Sequence, residues 1–321
     1  MPKIDNPIDS LMEEFETHVP LENAPVGIHL GISFERYCAI QAINHSRLNR
    51  ARDSLLHYKN IPAKDESPSL AFGSFAHTGR LEPEEIEKKY VVIPNSLSEN
   101  ILTKSGEPAT SPRATSEYKN RVKEFLSLHP GKLEVSEDWL NKIKQIVKNI
   151  DAHPRAGKFF KQGIPEVTII WEDKKTGLKC KGRIDWLAGP TPDMSIPELI
   201  KATKAIVDLK TTEDIFKFEL DKWNYHSQAA FYLEGWKTLT KKITPFEFTV
   251  VENSSPNAVR SAPVGGVSVA IGKEEIAFLL GRIAEAEESG IWPGPTDPST
   301  WEVSHWYKEK QFTQHHPLQE K

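Results

Sequence analysis

The chain has 321 residues, of which 38% are hydrophobic, 27% charged and 9% aromatic, a composition that excludes a disordered chain and allows a sizeable core. Its 41 basic and 45 acidic residues give a net charge of -4, which excludes a globally cationic nucleic-acid binder and leaves only a local patch for such contacts. Cys38 and Cys180 indicate neither a disulfide framework nor a zinc site, and without an apolar span or secretory signal we expect a cytoplasmic protein with no membrane contact.

The N-terminal part of the chain is predicted to be helical. Residues 1–30, rich in acidic residues and proline, are expected to form a flexible arm. Asn44 or Ser46 is a candidate N-cap for the first helix. Small residues at close spacing predict a tightly packed helix over 69–81, which carries His77.

The second half of the chain changes to strand periodicity. Alternating apolar or β-branched residues predict strands at 90–94, 167–171, 178–187, 205–210, 246–252 and 264–271. Helical spacing predicts two or three helices before Phe160, and more at 214–223, 225–239 and 273–289. Loops are predicted at 95–116 and 189–199. This order favours the α/β or α+β class, with one domain over 31–300 and a C-terminal tail at 301–321.

Two acidic residues, Asp185 and Asp208, lie on successive predicted strands. Alternate side chains of a strand share a face, so Asp208 and Lys210 are predicted to point together while Val207 and Leu209 enter the core. Ionised groups in such an apolar setting are costly unless they are paired or bind a metal. If the two strands are neighbours in the sheet, the carboxylates of Asp185 and Asp208 lie close together.

Phosphodiester cleavage would explain this combination of residue types. Carboxylates bind Mg²⁺, which polarises a phosphoryl oxygen and lowers the pKa of a bound water. A lysine can position that water or offset charge that develops on the phosphate. Taken alone, an Asp-x-Lys pattern is more often a surface ion pair, so the surrounding motifs decide the interpretation.

Several motifs in a fixed order resemble the PD-(D/E)XK nuclease superfamily, in the branch shared by RecB-like, Cas4-like and RecE-like nucleases. They are Ser46-Arg47-Leu48, Leu70-Ala71-Phe72-Gly73-Ser74-Phe75-Ala76-His77, Leu81-Glu82-Pro83, Gly182-Arg183-Ile184-Asp185, Ile206-Val207-Asp208-Leu209-Lys210-Thr211-Thr212 and Gln228-Ala229-Ala230-Phe231-Tyr232. The chain is most similar to the RecE or exonuclease VIII family of phage exonucleases, roughly over residues 30–300. The resemblance implies a restriction-endonuclease-like core, a mixed central β-sheet flanked by helices, with a helical N-terminal elaboration.

The resemblance assigns the centre of the active site. Asp185 and Asp208 match the two motif acids, and Lys210 matches the motif lysine. His77 matches the histidine that contributes to the metal site in this branch. Ile184 stands where the superfamily name has proline, a tolerated change because the carboxylate does the chemistry.

Three further residues are implied less directly. Gln228 matches the family glutamine on the helix after the motif strand, and Tyr232 follows one turn later on the same face. Both are expected to contact the DNA backbone, with ordinary helix surface as the alternative. Glu166 lies where related nucleases carry an additional acid, and either joins the metal ligands or lies at a strand edge.

A local cationic patch is predicted on the strand that carries Asp185. Lys179, Lys181 and Arg183 alternate along it and should share the face of the acid. They either bind DNA phosphates beside the active site or form a solvated strand face.

The function implied is a Mg²⁺-dependent exodeoxyribonuclease, with Mn²⁺ as a substitute, that digests linear double-stranded DNA from 5′ to 3′. The 3′ single strands would serve recombination, with a single-strand annealing protein as a partner and a ring-shaped homo-oligomer around the DNA. One rival is a RecB-like or Cas4-like nuclease of different end preference, although two cysteines cannot supply the four-cysteine iron–sulfur version. The other is a catalytically silent DNA-binding protein on the same fold, against which the retained site residues argue.

Overall fold

The computed structural model describes residues 24–60 and 67–297. The strands in these ranges are β1 (Gly27–His29), β2 (Tyr90–Ile93), β3 (Leu133–Ser136), β4 (Gly163–Glu172), β5 (Lys179–Ala188), β6 (Ala205–Thr212), β7 (Phe246–Glu252) and β8 (Val259–Pro263). The α-helices are α1 (Phe34–Ala39), α2 (His45–Asp53), α3 (Leu55–Lys59), α4 (Pro68–Leu81), α5 (Ile86–Lys89), α6 (Ser116–Ser127), α7 (Glu137–Ala152), α8 (Ala156–Phe160), α9 (Ile196–Ala202), α10 (Tyr225–Thr240) and α11 (Gly266–Ser289).

The centre of the fold is a mixed sheet of six strands in the order β1-β4-β5-β6-β7-β8. All neighbouring pairs are antiparallel except β6 and β7, which are parallel and are connected through α10. A parallel pair requires such a crossover, usually a helix. Strands β2 and β3 form a separate two-stranded parallel sheet. The mixed sheet with flanking helices confirms the fold class predicted from the sequence.

Both faces of the central sheet are covered by helices. Buried side chains of α2, α3, α10 and α11 form one core with strand residues such as Ile184 and Ile206, on what we call the α10 face. Buried side chains of α4, α7 and α8 form another core with Val207 and Leu209, on the α4 face. Strands covered on both faces read as continuous apolar runs, as β6 does in its first half.

Close packing holds α10 against the sheet. A Cβ at Gly235 would lie 2.7 Å from the ring of Trp171 on β4, so the helix can cross this ring only with glycine there. The rings of Trp171 and Phe231 contact edge to face, with centroids 4.7 Å apart. This contact fixes α10, the helix that carries Gln228, relative to the strands.

Several predicted elements are confirmed. Asn44 caps α2 and accepts a hydrogen bond from the Arg47 amide, as its position in the sequence indicated. The predicted helix over 69–81 is α4, which Ser67 caps, and the hairpin of β4 and β5 and the motif strand β6 are present.

Two predicted elements are wrong. Residues 214–223, predicted to be a helix, form only a short 3₁₀ turn at Ile215–Lys217. Residues 264–271, predicted to be a strand, are the end of a connecting loop followed by the first turns of α11. The β-branched residues of 264–271 favoured a strand. Gly272 allows this helix to cross α10 closely, since a Cβ there would lie 2.7 Å from the His226 carbonyl.

The boundaries of the predicted arm, loop and tail also differ from the structure or lie outside it. Residues 27–29, placed in the flexible arm, pair with β4 as an edge strand, while 1–23 and the tail at 301–321 lie outside the described residues. The predicted loop at 95–116 contains two 3₁₀ turns, Asn95–Ser98 and Pro112–Ala114. In the described part of the chain, no helix is long and apolar enough to cross a membrane.

Candidate active site

The two motif carboxylates lie where neighbouring strands separate. Pairing of β5 with β6 ends at Trp186↔Val207, and the next residues on the two strands are Asp185 and Asp208. The amide of Leu209 donates to Asp185 Oδ2 at 2.9 Å instead of continuing the backbone ladder. Both carboxylates therefore lie at the point where β5 and β6 separate.

The regular alternation of β5 is interrupted at the same point. Ile184 and Leu187 pack in the same core on the α10 face, although residues three apart face opposite sides in a regular strand. Trp186, between them, packs on the α4 face. The interruption lies at Asp185, so its side chain does not share the simple parity that the sequence suggested.

Glu166 lies opposite this interruption on β4. The pairs Pro165↔Trp186 and Val167↔Ile184 flank it, and its φ of 53° lies in the left-handed region. Such a backbone costs on the order of 1 kcal/mol or more for a residue other than glycine and concentrates at functional sites. The structure thus places Glu166 beside Asp185.

A histidine approaches the carboxylates from α4, on the face of the sheet opposite α10. Helix α4 packs on β6 so closely that a Cβ at Gly73 would contact Thr211, and one turn later His77 Nδ1 lies 3.6 Å from Asp185 Oδ2. Ligand atoms of His77, Glu166 and Asp185 lie within 4.8 Å of one another, close enough to share one metal ion. The predicted metal ligands therefore come together from α4, β4 and β5.

Asp208 is reached from the α10 face. Its Oδ2 accepts a hydrogen bond of 2.9 Å from Gln228 Nε2, and its Oδ1 lies 2.5 Å from Lys210 Nζ. Oδ1 is therefore buried with the Lys210 ammonium as its partner. His77 and Gln228, from helices on opposite faces, can approach one site because the strands separate there.

The electrostatics of the site favour a bound cation. Burial, and then the charge of Asp208, raise the pKa of Asp185 to about 8. Burial and the charge of Asp185 likewise raise the pKa of Glu166. Burial and Lys210 lower the pKa of His77, which keeps its imidazole neutral and able to bind a metal. A divalent cation would remove the repulsion that raises the carboxyl pKa values.

Lys210 stays charged in this environment. Burial lowers its pKa, but the charges of Asp208 and Asp185 outweigh burial, so the pKa of Lys210 is raised overall. Its Nζ lies 4.8 Å from the centroid of the Tyr225 ring on α10. The ammonium is therefore held between the carboxylates and an aromatic face.

The residues present fit a divalent metal ion. Two clustered carboxylates and a neutral imidazole form a mainly oxygen donor set, with the Asp208 carboxylate beside it, which suits Mg²⁺ or Mn²⁺. Glu166 also pairs with Arg183, so the guanidinium balances the charge of this carboxylate in the absence of a metal.

The predicted cationic patch on β5 is wrong, because its side chains bind the N-terminal segment of the chain. Lys181 is buried, and its Nζ donates to the carbonyls of Tyr37 at 2.6 Å and Ile40 at 2.8 Å, at the end of α1. Lys179 donates to a carbonyl just before β1, and Arg183 donates to a carbonyl after it and pairs with Glu166. The terminal carbonyls of a helix need such donors, and Lys181 supplies them for α1.

Tyr232 is also buried and does not contact DNA as predicted. Its ring packs over Gly182, where a Cβ would lie 3.1 Å from it, and it interacts with the Gln228 side chain one turn earlier on α10. Gln228 in turn donates to Asp208, so both predicted DNA-contacting residues have partners within the protein.

A polar network behind α10 was not predicted. Arg52 on α2 donates to Glu275 on α11 at 2.7 Å and to Ser227 at 3.0 Å, and His226 bonds the same carboxylate at 2.9 Å. His45 bonds Ser227 at 2.8 Å. The network ties three helices together at the residues that precede Gln228. No sequence spacing connects its members.

Loss of this network should destabilise the protein. We expect Glu275→Ala to lower the free energy of unfolding by about 1–2 kcal/mol, because Arg52 and His226 lose their shared acceptor. Urea unfolding measures it, with the exposed neighbour Glu274→Ala as the control.

The effect of Glu275→Ala should depend on pH. Burial raises the pKa of Glu275, but hydrogen bonds from Arg52 and His226 outweigh it, so the pKa lies below its ordinary value of 4.5. The carboxylate thus stabilises the fold above about pH 4.5, and this contribution is lost as the pH falls through the lowered pKa. A difference between the two variants that grows on acidification would contradict this.

Comparison with known proteins agrees with this geometry. A family model described as a PDDEXK-like domain of unknown function (DUF3799) matches residues 47–299. Eleven chains of solved structures match. One is the crystal structure of a "Putative exonuclease" from Eubacterium rectale, 15% identical with a TM-score of 0.52, aligned over 86% of this chain and 97% of that chain. That identity supports a shared fold alone. A comparison with curated proteins gives no match.

Proposed function

Because the chain belongs to the family of PDDEXK-like domains, we propose that it is a divalent-metal-dependent exodeoxyribonuclease that acts on linear double-stranded DNA. The observation that carries the proposal is the convergence of His77, Glu166 and Asp185 on one point, with the pair of Asp208 and Lys210 beside them. A buried carboxylate cluster of this kind would be an unnecessary cost in a protein that only binds DNA.

Each side chain has a separate task in this proposal. His77, Glu166, Asp185 and Asp208 would hold the metal ion. The metal, Mg²⁺ or Mn²⁺, supplies charge stabilisation on the phosphoryl oxygens and an acidified water. Lys210, raised in pKa and partly exposed, can hold a water or a phosphate oxygen with its ammonium.

Gln228 acts on Asp208 and not on the substrate. Its amide N–H fixes Asp208 Oδ2, and Tyr232 in turn fixes the amide. This arrangement fixes the Asp208 carboxylate, with Oδ2 bound by the amide and Oδ1 facing Lys210.

The charge distribution supports attack from DNA ends. The protein carries a net charge of -4, and the cations of β5 bind its own backbone, so β5 contributes little sequence-independent binding of duplex DNA. An enzyme of this type would hold duplex only once an end reaches the metal site. The structurally similar protein from Eubacterium rectale is described as a "Putative exonuclease", which also favours attack from DNA ends.

The finer parts of the proposal rest on the resemblance to RecE-like nucleases. They are Mg²⁺ as the physiological ion, digestion from 5′ to 3′, a role in recombination with a single-strand annealing protein, a ring-shaped homo-oligomer and a cytoplasmic location. The alternative is a RecB-like or Cas4-like nuclease with a different end preference.

Digestion of one plasmid in two forms tests the proposal. With Mg²⁺ present, the linearised plasmid should be degraded while the covalently closed circle survives, and 5′-labelled ends should release label before 3′-labelled ends. Release from 3′ ends first would favour the alternative end preference. Equal rates on circle and linear DNA would refute the exonuclease assignment, and binding of DNA without cleavage in Mg²⁺ or Mn²⁺ would indicate a catalytically silent protein.

A further inference from the structure

The segment between the motif strand and α10, residues 213–224, exposes two large aromatic side chains. Phe216 is 85% exposed and Trp223 is 60% exposed. Aromatic rings bury large apolar areas where they can, so two such rings in one short segment beside an active site call for an explanation.

The segment is held in place by its other residues. Ile215 is buried, and its amide donates to the Glu252 carboxylate at the end of β7. The ring of Phe218 stacks on Tyr225, with centroids 5.4 Å apart. The two exposed rings therefore project from an anchored segment.

This anchoring places the segment beside the candidate active site. Tyr225, on which Phe218 stacks, is the same ring that lies 4.8 Å from Lys210 Nζ. Trp223 lies two residues before the start of α10, whose first turn carries Gln228. The segment that carries both exposed rings therefore adjoins the candidate active site through Phe218 and Tyr225.

The net negative charge of the segment makes it poorly suited to bind DNA phosphates. It contains four acidic residues and two lysines, namely Glu213, Asp214, Glu219, Asp221, Lys217 and Lys222. Lys217 pairs with Asp214 at 3.0 Å, and Lys222 Nζ lies 5.6 Å from the Trp223 ring centroid. A surface with aromatic rings and net negative charge can bind nucleic acid through base faces, since stacking needs no cation.

We propose that Phe216 and Trp223 form a stacking platform for unpaired nucleobases of a DNA strand at the active site. The inference rests on the proposed nuclease function and adds to it the contact that holds single-stranded DNA. Because the contact is stacking, it should be tolerant of sequence and should release few counterions.

Binding measured without cleavage tests the platform. The full chain is kept in EDTA, and its affinity is measured by fluorescence anisotropy for a labelled oligothymidine of about 20 nucleotides and for a blunt duplex. Trp223→Ala should weaken binding of the single strand by roughly tenfold, and Phe216→Ala by somewhat less. Trp223→Phe should retain most of the affinity because it keeps an aromatic face.

Salt dependence separates stacking from charge. Trp223→Ala should lower the affinity for the single strand without changing the slope of log affinity against log salt concentration. Phe278→Ala, which removes a ring that is 63% exposed on α11, is the matched control and should leave binding unchanged. Thermal melting of each variant verifies that it is folded.

The outcomes distinguish this inference from the function on which it rests. If the unsubstituted protein digests linear DNA but Trp223→Ala and Phe216→Ala bind the single strand normally, the platform is refuted and the nuclease stands. A changed oligomeric state in these variants with unchanged DNA binding would assign the rings to a contact between copies, which also refutes it. If the unsubstituted protein neither binds nor cleaves DNA, both the proposed function and the platform fail.

Discussion

Asp208→Asn should reduce DNA cleavage by at least about a thousandfold, because it removes the negative charge of a buried carboxylate that lies beside Asp185 and pairs with Lys210. Asparagine has nearly the same volume, and its carbonyl can still accept the hydrogen bond from Gln228. Release of acid-soluble nucleotides from linear duplex in Mg²⁺ measures the loss.

The fold should survive this substitution. Removal of the charge relieves the repulsion that raises the pKa of Asp185, while Lys210 loses its partner at 2.5 Å, and the two effects oppose each other. We therefore expect a small change in melting temperature. Cleavage at the rate of the unsubstituted protein would exclude Asp208 from the site, and an unfolded variant would leave Lys210→Met as the second test.

Glu166→Gln should weaken metal binding by at least about tenfold and cleavage with it, since the carboxylate belongs to the group that can share one ion. Glutamine keeps an acceptor for Arg183, so the packing of β4 should persist. Calorimetric titration of the DNA-free protein with Mn²⁺ measures the affinity, and cleavage should recover partly at high Mn²⁺ concentration.

Glu172→Gln is the matched control for this prediction. Glu172 lies at the exposed end of the same strand, so its substitution removes the same charge without touching the site. Equal Mn²⁺ affinity in both variants would show that Glu166 serves only as the partner of Arg183.

The sequence predicted the residues of the site better than their contacts. Asp185, Asp208, Lys210 and His77 were identified because ordered motifs specify residue types, and the structure brings them together. Glu166 could not be decided, because its position depends on a left-handed backbone that no local pattern revealed. The simple parity argument failed at Asp185 because β5 is irregular where β6 separates from it.

Solvent exposure was the property least accessible from sequence. Lys181 was expected to meet DNA because it alternates with Asp185 along the strand, and Tyr232 because it follows Gln228 by one helical turn. Instead, Lys181 caps the end of α1, and Tyr232 is buried against Gly182. Their burial follows from contacts with segments far away in the chain, which periodicity does not report.

The position of a bound ion tests the central claim most directly. In crystals of the full chain grown with Mn²⁺, anomalous scattering should show an ion within coordination distance of His77, Glu166 and Asp185, with Asp208 Oδ1 turned towards it. Anomalous peaks only at sites away from Asp185 and Asp208 would contradict the assignment of this cluster as a metal-dependent active site.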